Sequence, residues 1–492
     1  MVQIEVVAAL IIRGGRFFAA QRGEGKSHPG AWEFPGGKIE PGETQQEALM
    51  RELAEELDMT AYPVAFVTTK ETHDPDRIIR VHLYRVLLET EHFSLHEHQA
   101  ADWFTPEQAQ ALPWTEADRA FLPSVIDAIR RTPSVYAALP EDFDALPTHT
   151  SGAHIFKGVQ RAWTYKDGQF AFGHKARMLV ETAFDTTPIH IADAREADDG
   201  TTRIIYALRD GARVETIHMP RDVKSPRVTL CLSSQVGCAM RCAFCATATL
   251  GLKRNLTAGE IVQEVLLALQ VYGPHKTHAV NLVFMGMGEA LMNYDNVMRA
   301  IAVLSHIEGL NIAPVRMTLS TSGVLDKLLK LRDEKIRPNI AVSINATTDD
   351  VRKKLMPVTE RFGLMAIREA LLAWPYRSHE KILLEYVLLR GINDSPEDAH
   401  RLAAFAKGMP HNINIIPYNP TPHVAFDAPS PEQIQAFIKM MQDEGCFVTL
   451  REARGVRVGG ACGQLIARLE QPSATEDTER TLIRCAVPAT EP

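Results

Sequence analysis

The chain opens on a short, apolar, β-branched run at residues 3–12, and a second stands at 80–88; both read as strands. Between them GETQQEALMRELAEEL has the period of a helix, with Thr44 and Glu47 spaced as a capping box. Residues 117–131 read as a closing helix. The stretch RTPSVYAALPEDFDALPTHTSG, at 131–152, carries proline and serine and reads as a linker. Residues 153–205 are mixed, with a helix expected around His154–Tyr165. From about Arg227 the pattern becomes regular. Strands are expected at 227–232, 279–285, 315–320, 339–343, 382–389 and 412–416, with helical patterns between them, as at 257–271, 294–306 and 396–407. Apolar strands alternating with helices imply a parallel sheet with crossover helices. Six such units suit an open barrel as readily as a doubly wound sheet. There is no internal repeat.

Composition adds a division. Of 492 residues 45% are hydrophobic and 23% charged, ordinary values for a globular protein. Residues 1–131 hold 13 basic and 21 acidic residues, a balance of −8 that equals the net charge of the whole chain. The remainder is neutral, so two domains with different partners are expected. No apolar run reaches the roughly 18 residues of a membrane span, and the first residues read as a strand rather than a signal peptide, so a cytoplasmic location without membrane partners is expected. Seven cysteines, four of them at 231, 238, 242 and 245, point to metal or redox chemistry rather than a disulfide framework.

In the predicted first helix Glu52, Glu55 and Glu56 are three and four residues apart and share a face. Carboxylates so close repel unless a cation neutralises them, and hard oxygen ligands suit Mg2+ or Mn2+. Arg51 can orient one of them through a bidentate pair. An isolated ELAEEL is usually a solvated acidic face. Here Gly37, Glu43 and Arg51-Glu52-Leu-x-Glu55-Glu56 keep the spacing of the Nudix box, so residues 2–130 resemble the Nudix hydrolases. Asp58 stands where that family has glycine, and is expected to end the helix in a left-handed conformation. AWEFPGGKIEPGE and HEHQAADW resemble the branch that hydrolyses nucleoside triphosphates. The resemblance implies Gly37, Glu52, Glu55, Glu56 and Glu97 as the metal site, Asp118 at the base, and hydrolysis of an NTP to NMP and pyrophosphate.

Cys238-AMR-Cys242-AF-Cys245 has three readings. A structural zinc site lacks a second CxxC or His pair, although Cys231 could complete it. A thioredoxin-like CxxC needs only two cysteines. Three thiolates on an iron–sulfur cluster leave one iron open to a small chelating molecule. C-x3-C-x2-C after the first strand of a βα barrel is the pattern of the radical S-adenosyl-L-methionine (SAM) enzymes, and Phe244 fits it.

From about Phe156 to Leu465 the blocks TLCLSSQVGCAMRCAFCATATLGLKRNL, FMGMGEALMN, LSTSGV, AVSINA, IIPYNP and RGVRVGGACGQL resemble, in order, those of the RlmN family of RNA adenine C2-methyltransferases. Membership implies methylation of adenine C2 in 23S rRNA and certain tRNAs, with SAM, a [4Fe-4S] cluster on Cys238, Cys242 and Cys245, and an electron donor such as flavodoxin. Adenine C2 is too electron-poor to attack a methyl cation donor. The resemblance therefore implies that Cys462 takes a methyl group from one SAM. A radical made from a second SAM then removes a hydrogen from it, and the resulting methylene radical adds to C2. Glu215 is implied as general base and Cys231 as the thiol that releases the product through a transient disulfide with Cys462. Gly288, Glu289, Ser320, Ser343, Ile344, Asn345 and Asn419 are implied SAM contacts.

Two positions depart from the family: Asn345 where many members have His, and Arg457 where Asp is usual. Cys446 reads as a buried strand residue and Cys485 as an incidental thiol. Arg241, Lys253, Arg254, Lys175 and Arg177 could meet RNA phosphates, though solvated basic residues are commoner. The expected organisation is α/β throughout: a Nudix α/β/α sandwich at 1–131, a linker at 132–152, an accessory RNA-binding domain at 153–210, a partial (β/α)6 radical SAM barrel at 211–470 and a disordered tail at 471–492. Methylation at adenine C8 is the close alternative. A working Nudix enzyme with a non-catalytic Fe-S RNA-binding module is the alternative from another class.

Overall fold

The computed structural model describes residues 2–73, 76–165, 170, 172–221, 227–272, 279–421, 424–451 and 453–465. The tail expected at 471–492, with Cys485, lies outside them.

The first domain is a six-stranded sheet between helices. Its first strand, Val2–Arg13, pairs in parallel with Arg77–Leu88 and antiparallel with Arg16–Arg22. Val7, Ala9 and Ile11 point to one face and Ala8, Leu10 and Ile12 to the other, and both sets are buried. Helix Gln45–Leu57 covers the first face with Leu49, Leu53 and Leu57; helix Leu122–Arg131 covers the second with Val125 and Ile129. Each leucine so buried contributes roughly 2 kcal/mol. The capping box of Thr44 and Glu47 is formed. Asp58 ends the helix at φ 54°, as its left-handed assignment requires. The closing helix expected at 117–131 is broken into Glu116–Arg119 and Leu122–Arg131.

The second sheet has ten strands. All six expected parallel strands are present, within two residues at each end: Arg227–Cys231, Ala279–Phe284, Met317–Thr321, Asn339–Ser343, Ile382–Leu388 and His411–Pro417. A short seventh, Val448–Leu450, follows. On the other side Arg213–Arg221, Thr202–Ala207 and His190–Glu196 extend the sheet antiparallel. The sheet does not close, so the barrel is partial, and the accessory strands continue it.

The segment read as a linker is structured. It forms a turn of helix at Val135–Ala137 and a short helix at Pro140–Asp144, and Val135, Tyr136 and Phe143 are buried in the core of the second sheet. The two halves also share helix His174–Ala183. Its Met178 sits in the first domain's core, while Ala176, Leu179 and Val180 sit in the second's. Arg13 donates to Glu181 at 2.8 Å, and the Leu88 amide donates to the Thr182 hydroxyl at 3.1 Å.

Candidate active sites

The Nudix residues run along helix Gln45–Leu57, from Glu43 just before it to Glu56 in its last turn. Arg51 is the organiser. It holds both oxygens of Glu43, at 3.2 and 2.8 Å, and reaches Glu52 at 3.0 Å and Glu55 at 3.1 Å. Gly37 lies against Glu52: a Cβ there would fall 2.2 Å from its carboxyl carbon. Burial, then the neighbouring carboxylates, pushes Glu56 up to about 7, and burial raises Glu52 as well. Glu56 Oε2 has no hydrogen-bond partner. Half-buried Glu52 and Glu56, with an unsatisfied oxygen on Glu56, suit a divalent cation, while Glu55 and Glu97 are exposed and no three of these carboxylates already converge on one ion position. Glu97 is held down by an ion pair with Lys26. Asp118 is buried, accepts from the Phe34 amide at 3.1 Å, and is pushed up to about 7 by burial.

In the second half, one cavity of about 180 Å3 opens at the carboxyl ends of the parallel strands. Cys238, Cys242, Cys245, Gly288, Glu289, Ser320, Ser343, Asn345, Asn419 and Cys462 all line it. Ile344 does not; its side chain is buried, and its amide and carbonyl bond Glu385 and Arg352. Burial pushes the Cys238 thiol up to about 12 and raises Cys242 and Cys245 too. Among the described residues no three His, Cys, Asp or Glu side chains converge on a single-ion site. Three thiols spread round one cavity, Cys238 buried and Cys242 and Cys245 half-buried, fit a polynuclear cluster better than a zinc ion. Gly288 has φ 104°, and a Cβ there would meet the Gln235 side chain at 2.6 Å. Glu289 accepts from the Ser322 amide at 2.7 Å and the Leu291 amide at 3.3 Å. Asn345, at φ 55°, accepts from the Val387 amide at 2.8 Å, so its amide fills a structural role at the site.

A second cavity, of about 560 Å3, lies behind the first and shares Met285, Ile416, Asn419, Arg451 and Cys462 with it. Cys231 lines this one. So do Arg221, Arg227, Arg451 and Arg454, with Asn281, Asn414 and Asn419, and among the described residues no carboxylate does. Burial pushes Cys231 up to about 12, with Arg451 pulling the other way. The Cys462 sulfur, and then Glu385 and Cys231, hold the charge on Arg451 against burial. Cys231 and Cys462 are both free thiols.

Glu215 lines neither cavity. It is buried in an ion pair with Arg203, which also donates to the Val458 carbonyl at 3.2 Å. Lys175, Arg177 and Arg254 pair with Glu89, Glu181, and Asp210 with Glu260, so their charges are engaged within the chain. Cys446 is buried just ahead of the strand Val448–Leu450. Sequence reasoning missed Arg352, which is wholly buried. It donates to the carbonyls of Ser322, Ser343 and Ile344 and to the Thr359 hydroxyl, at 2.7 to 2.9 Å, tying together two strand ends of the site.

The NUDIX domain family matches residues 2–125, and the Radical SAM superfamily matches residues 232–403. The chain is similar to the dual-specificity RNA methyltransferase RlmN of Syntrophotalea carbinolica, 41% identical over 298 residues, covering 61% of this chain and 77% of that one. It is 39% identical over 319 residues to a probable RlmN of Flavobacterium psychrophilum, covering 63% and 91%. Among solved structures it resembles a radical SAM methyltransferase from Sphaerobacter thermophilus, at 34% identity and a TM-score of 0.63, covering 68% of this chain and all of that one. The family implies a [4Fe-4S] cluster and SAM, for which the cysteine cavity is suited. At these identities, over most of those relatives' length, the chain belongs to the RlmN family of radical SAM RNA methyltransferases and carries an N-terminal NUDIX domain.

Proposed function

We propose that this protein methylates C2 of adenine in 23S rRNA and in certain tRNAs, through a methyl group carried on Cys462. The observation that supports this is the position of Cys462 at the junction of two cavities. One holds the three cluster cysteines and the strand-end residues that suit SAM. The other, lined by four arginines and three asparagines and, among the described residues, by no carboxylate, suits an adenine nucleotide with its phosphates. A carrier thiol at the junction can load on one side and deliver on the other.

When bound, the [4Fe-4S] cluster supplies the single electron that splits SAM reductively. The chain's own groups do the rest. Cys238, Cys242 and Cys245 hold the cluster, while Gly288 and Glu289 meet the amino acid part of SAM. Ser320, Ser343, Asn345 and Asn419, with the backbone at Ile344, line the remainder. Glu215 takes the C2 proton once its contact with Arg203 loosens. Cys231, on losing its proton, attacks the sulfur of Cys462; the bond from that sulfur to the RNA-borne carbon breaks with its electron pair left on the carbon, which takes a proton to become methyl, and the disulfide that forms is later reduced by an external thiol. Deep burial keeps Cys231 a thiol until that step.

In the first domain, Glu52, Glu55, Glu56 and Glu97, with the backbone at Gly37, hold Mg2+ or Mn2+. When bound, such a metal would supply Lewis-acid activation of water for hydrolysis of an NTP to NMP and pyrophosphate. Mass spectrometry of adenosines from 23S rRNA and tRNA, with and without this gene, tests the methylation. 2-Methyladenosine that depends on the gene is expected; an 8-methyl mark with C2 untouched would overturn the reading.

A further inference from the structure

The loop that carries Cys462 is tied down at both ends, and the two ties come from different parts of the molecule. On the far side of Cys462 the loop is fastened to the cluster segment. The Ala246 amide donates to the Gly463 carbonyl at 2.8 Å, and the Thr247 hydroxyl to the Leu465 carbonyl at 2.7 Å. On the near side it is fastened to the accessory hairpin formed by His190–Glu196 and Thr202–Ala207. The Gly455 amide donates to Asp199 at 3.2 Å, Arg457 pairs with Asp198 at 2.7 Å, and Arg203 donates to the Val458 carbonyl at 3.2 Å. Between the two ties lie Gly459, at φ 66°, and Gly460. That short glycine pair is where a loop fixed on both sides can still turn.

We infer that the accessory hairpin turn is a latch that positions the Cys462 loop, with Asp198 and Asp199 as positioning residues for the carrier cysteine. This rests on the reading of Cys462 as the methyl carrier and adds to it how the carrier is held. Cys462 has to address the SAM cavity when it loads and Cys231 when it releases product. A near-side anchor at 455–458 fixes the base of that swing. The pair of Arg457 with Asp198 gives a physical account of the departure at Arg457. With Arg on the loop, the acid stands on the hairpin instead. Both side chains are largely exposed, at 83% and 75%. Exposed pairs are weak, so the latch adjusts the loop's resting position and leaves it able to open. Arg203 spans the latch and Glu215, so the same hairpin that holds the loop also holds the residue that takes the C2 proton.

The test is alkylation of Cys462 in the full-length protein by iodoacetamide, followed by peptide mass mapping. The variants are D198R, D199A, R457D and the charge swap D198R/R457D. The single variants are expected to alkylate Cys462 about two- to fivefold faster than the wild type, the range an exposed pair can supply. The charge swap is expected to return the rate to the wild-type value, which a merely structural loss would not do. Single variants that alkylate at the wild-type rate, or a swap that stays as fast as the singles, would overturn the latch. The carrier reading is scored separately, by whether wild-type Cys462 gains the mass of a methyl group when supplied with SAM. An unmethylated wild-type Cys462 sinks that reading whatever the alkylation rates, which need no turnover.

Discussion

Arg203 holds both carboxylate oxygens of Glu215, at 3.1 and 2.9 Å, in a pair almost closed to solvent. Removing the cation from such a pair costs on the order of 3–5 kcal/mol, because a buried carboxylate loses the charge that holds it. Arg203→Met is therefore expected to lower the unfolding free energy by that order. The double variant Arg203→Met with Glu215→Gln is expected to recover much of the loss. Urea unfolding of the three proteins measures it; a double variant as unstable as the single would mean that the pair is not what Arg203 contributes.

Arg352, buried beside the cavity that holds the cluster cysteines, makes a second such test. Its guanidinium bonds three carbonyls and a hydroxyl, and Arg352→Met removes all four bonds, although the Ile344 carbonyl keeps the Ala346 amide and the Thr359 hydroxyl still donates to the Met356 carbonyl. At about 1 kcal/mol or more for each, several kcal/mol of stability go, and SAM binding weakens with the strand ends. Lys is expected to recover only part, since it lacks the planar fork. Calorimetric titration of SAM into the three proteins, alongside their melting temperatures, reads both effects.

Asp118 sets a pH dependence in the first domain. Burial raises its carboxyl to about 7 in the folded state, above the roughly 3.9 of an unfolded Asp. Between those values the folded protein keeps a proton that the unfolded chain has lost. The contribution to stability is therefore present below pH ~4 and is lost as pH rises towards 7. Asp118→Asn removes this slope. Wild-type stability relative to that variant is expected to fall by a few kcal/mol from pH 4 to 7, read from unfolding across pH. A difference independent of pH would show that Asp118 is ionised throughout.

The NTP reaction depends on the helix carboxylates. Glu55→Gln is expected to lower Mg2+-dependent release of pyrophosphate by at least about tenfold, since losing even a partner of a metal ligand costs that much. RNA methylation is expected to be unchanged. Pyrophosphate release that survives in the variant would count against the proposed metal helix.

The parts of this fold that were legible in the sequence are those written locally. The parallel strands have one buried face and one largely half-buried face, so they read as mainly apolar runs and fell within two residues of their observed ends. The capping box at Thr44 and Glu47 and the left-handed end at Asp58 are local too. Of the accessory strands, His190–Glu196 mixes half-buried and exposed positions, and the pairing of Arg213–Arg221 with Arg227–Cys231 is a tertiary fact. Val448–Leu450 is three residues long, below what periodicity can detect. The cavity cysteines were legible by spacing. Arg352 was not, because its acceptors are backbone groups from two distant strand ends. The segment 132–152 looked like a linker from proline and serine, yet the apolar residues Val135, Tyr136 and Phe143 within it were what decided its packing.

The most direct test of the carrier role of Cys462 follows the hydrogens of the transferred methyl group. The protein, reconstituted with its cluster and given SAM labelled with CD3, is allowed to act on RNA, and the methyladenosine is analysed by mass spectrometry. A methyl group carried on Cys462 must give up one deuterium before the carbon can join C2, so the product should carry two deuterium atoms and one hydrogen. A product that keeps all three deuterium atoms would mean direct transfer from SAM to RNA, and would contradict the carrier role of Cys462.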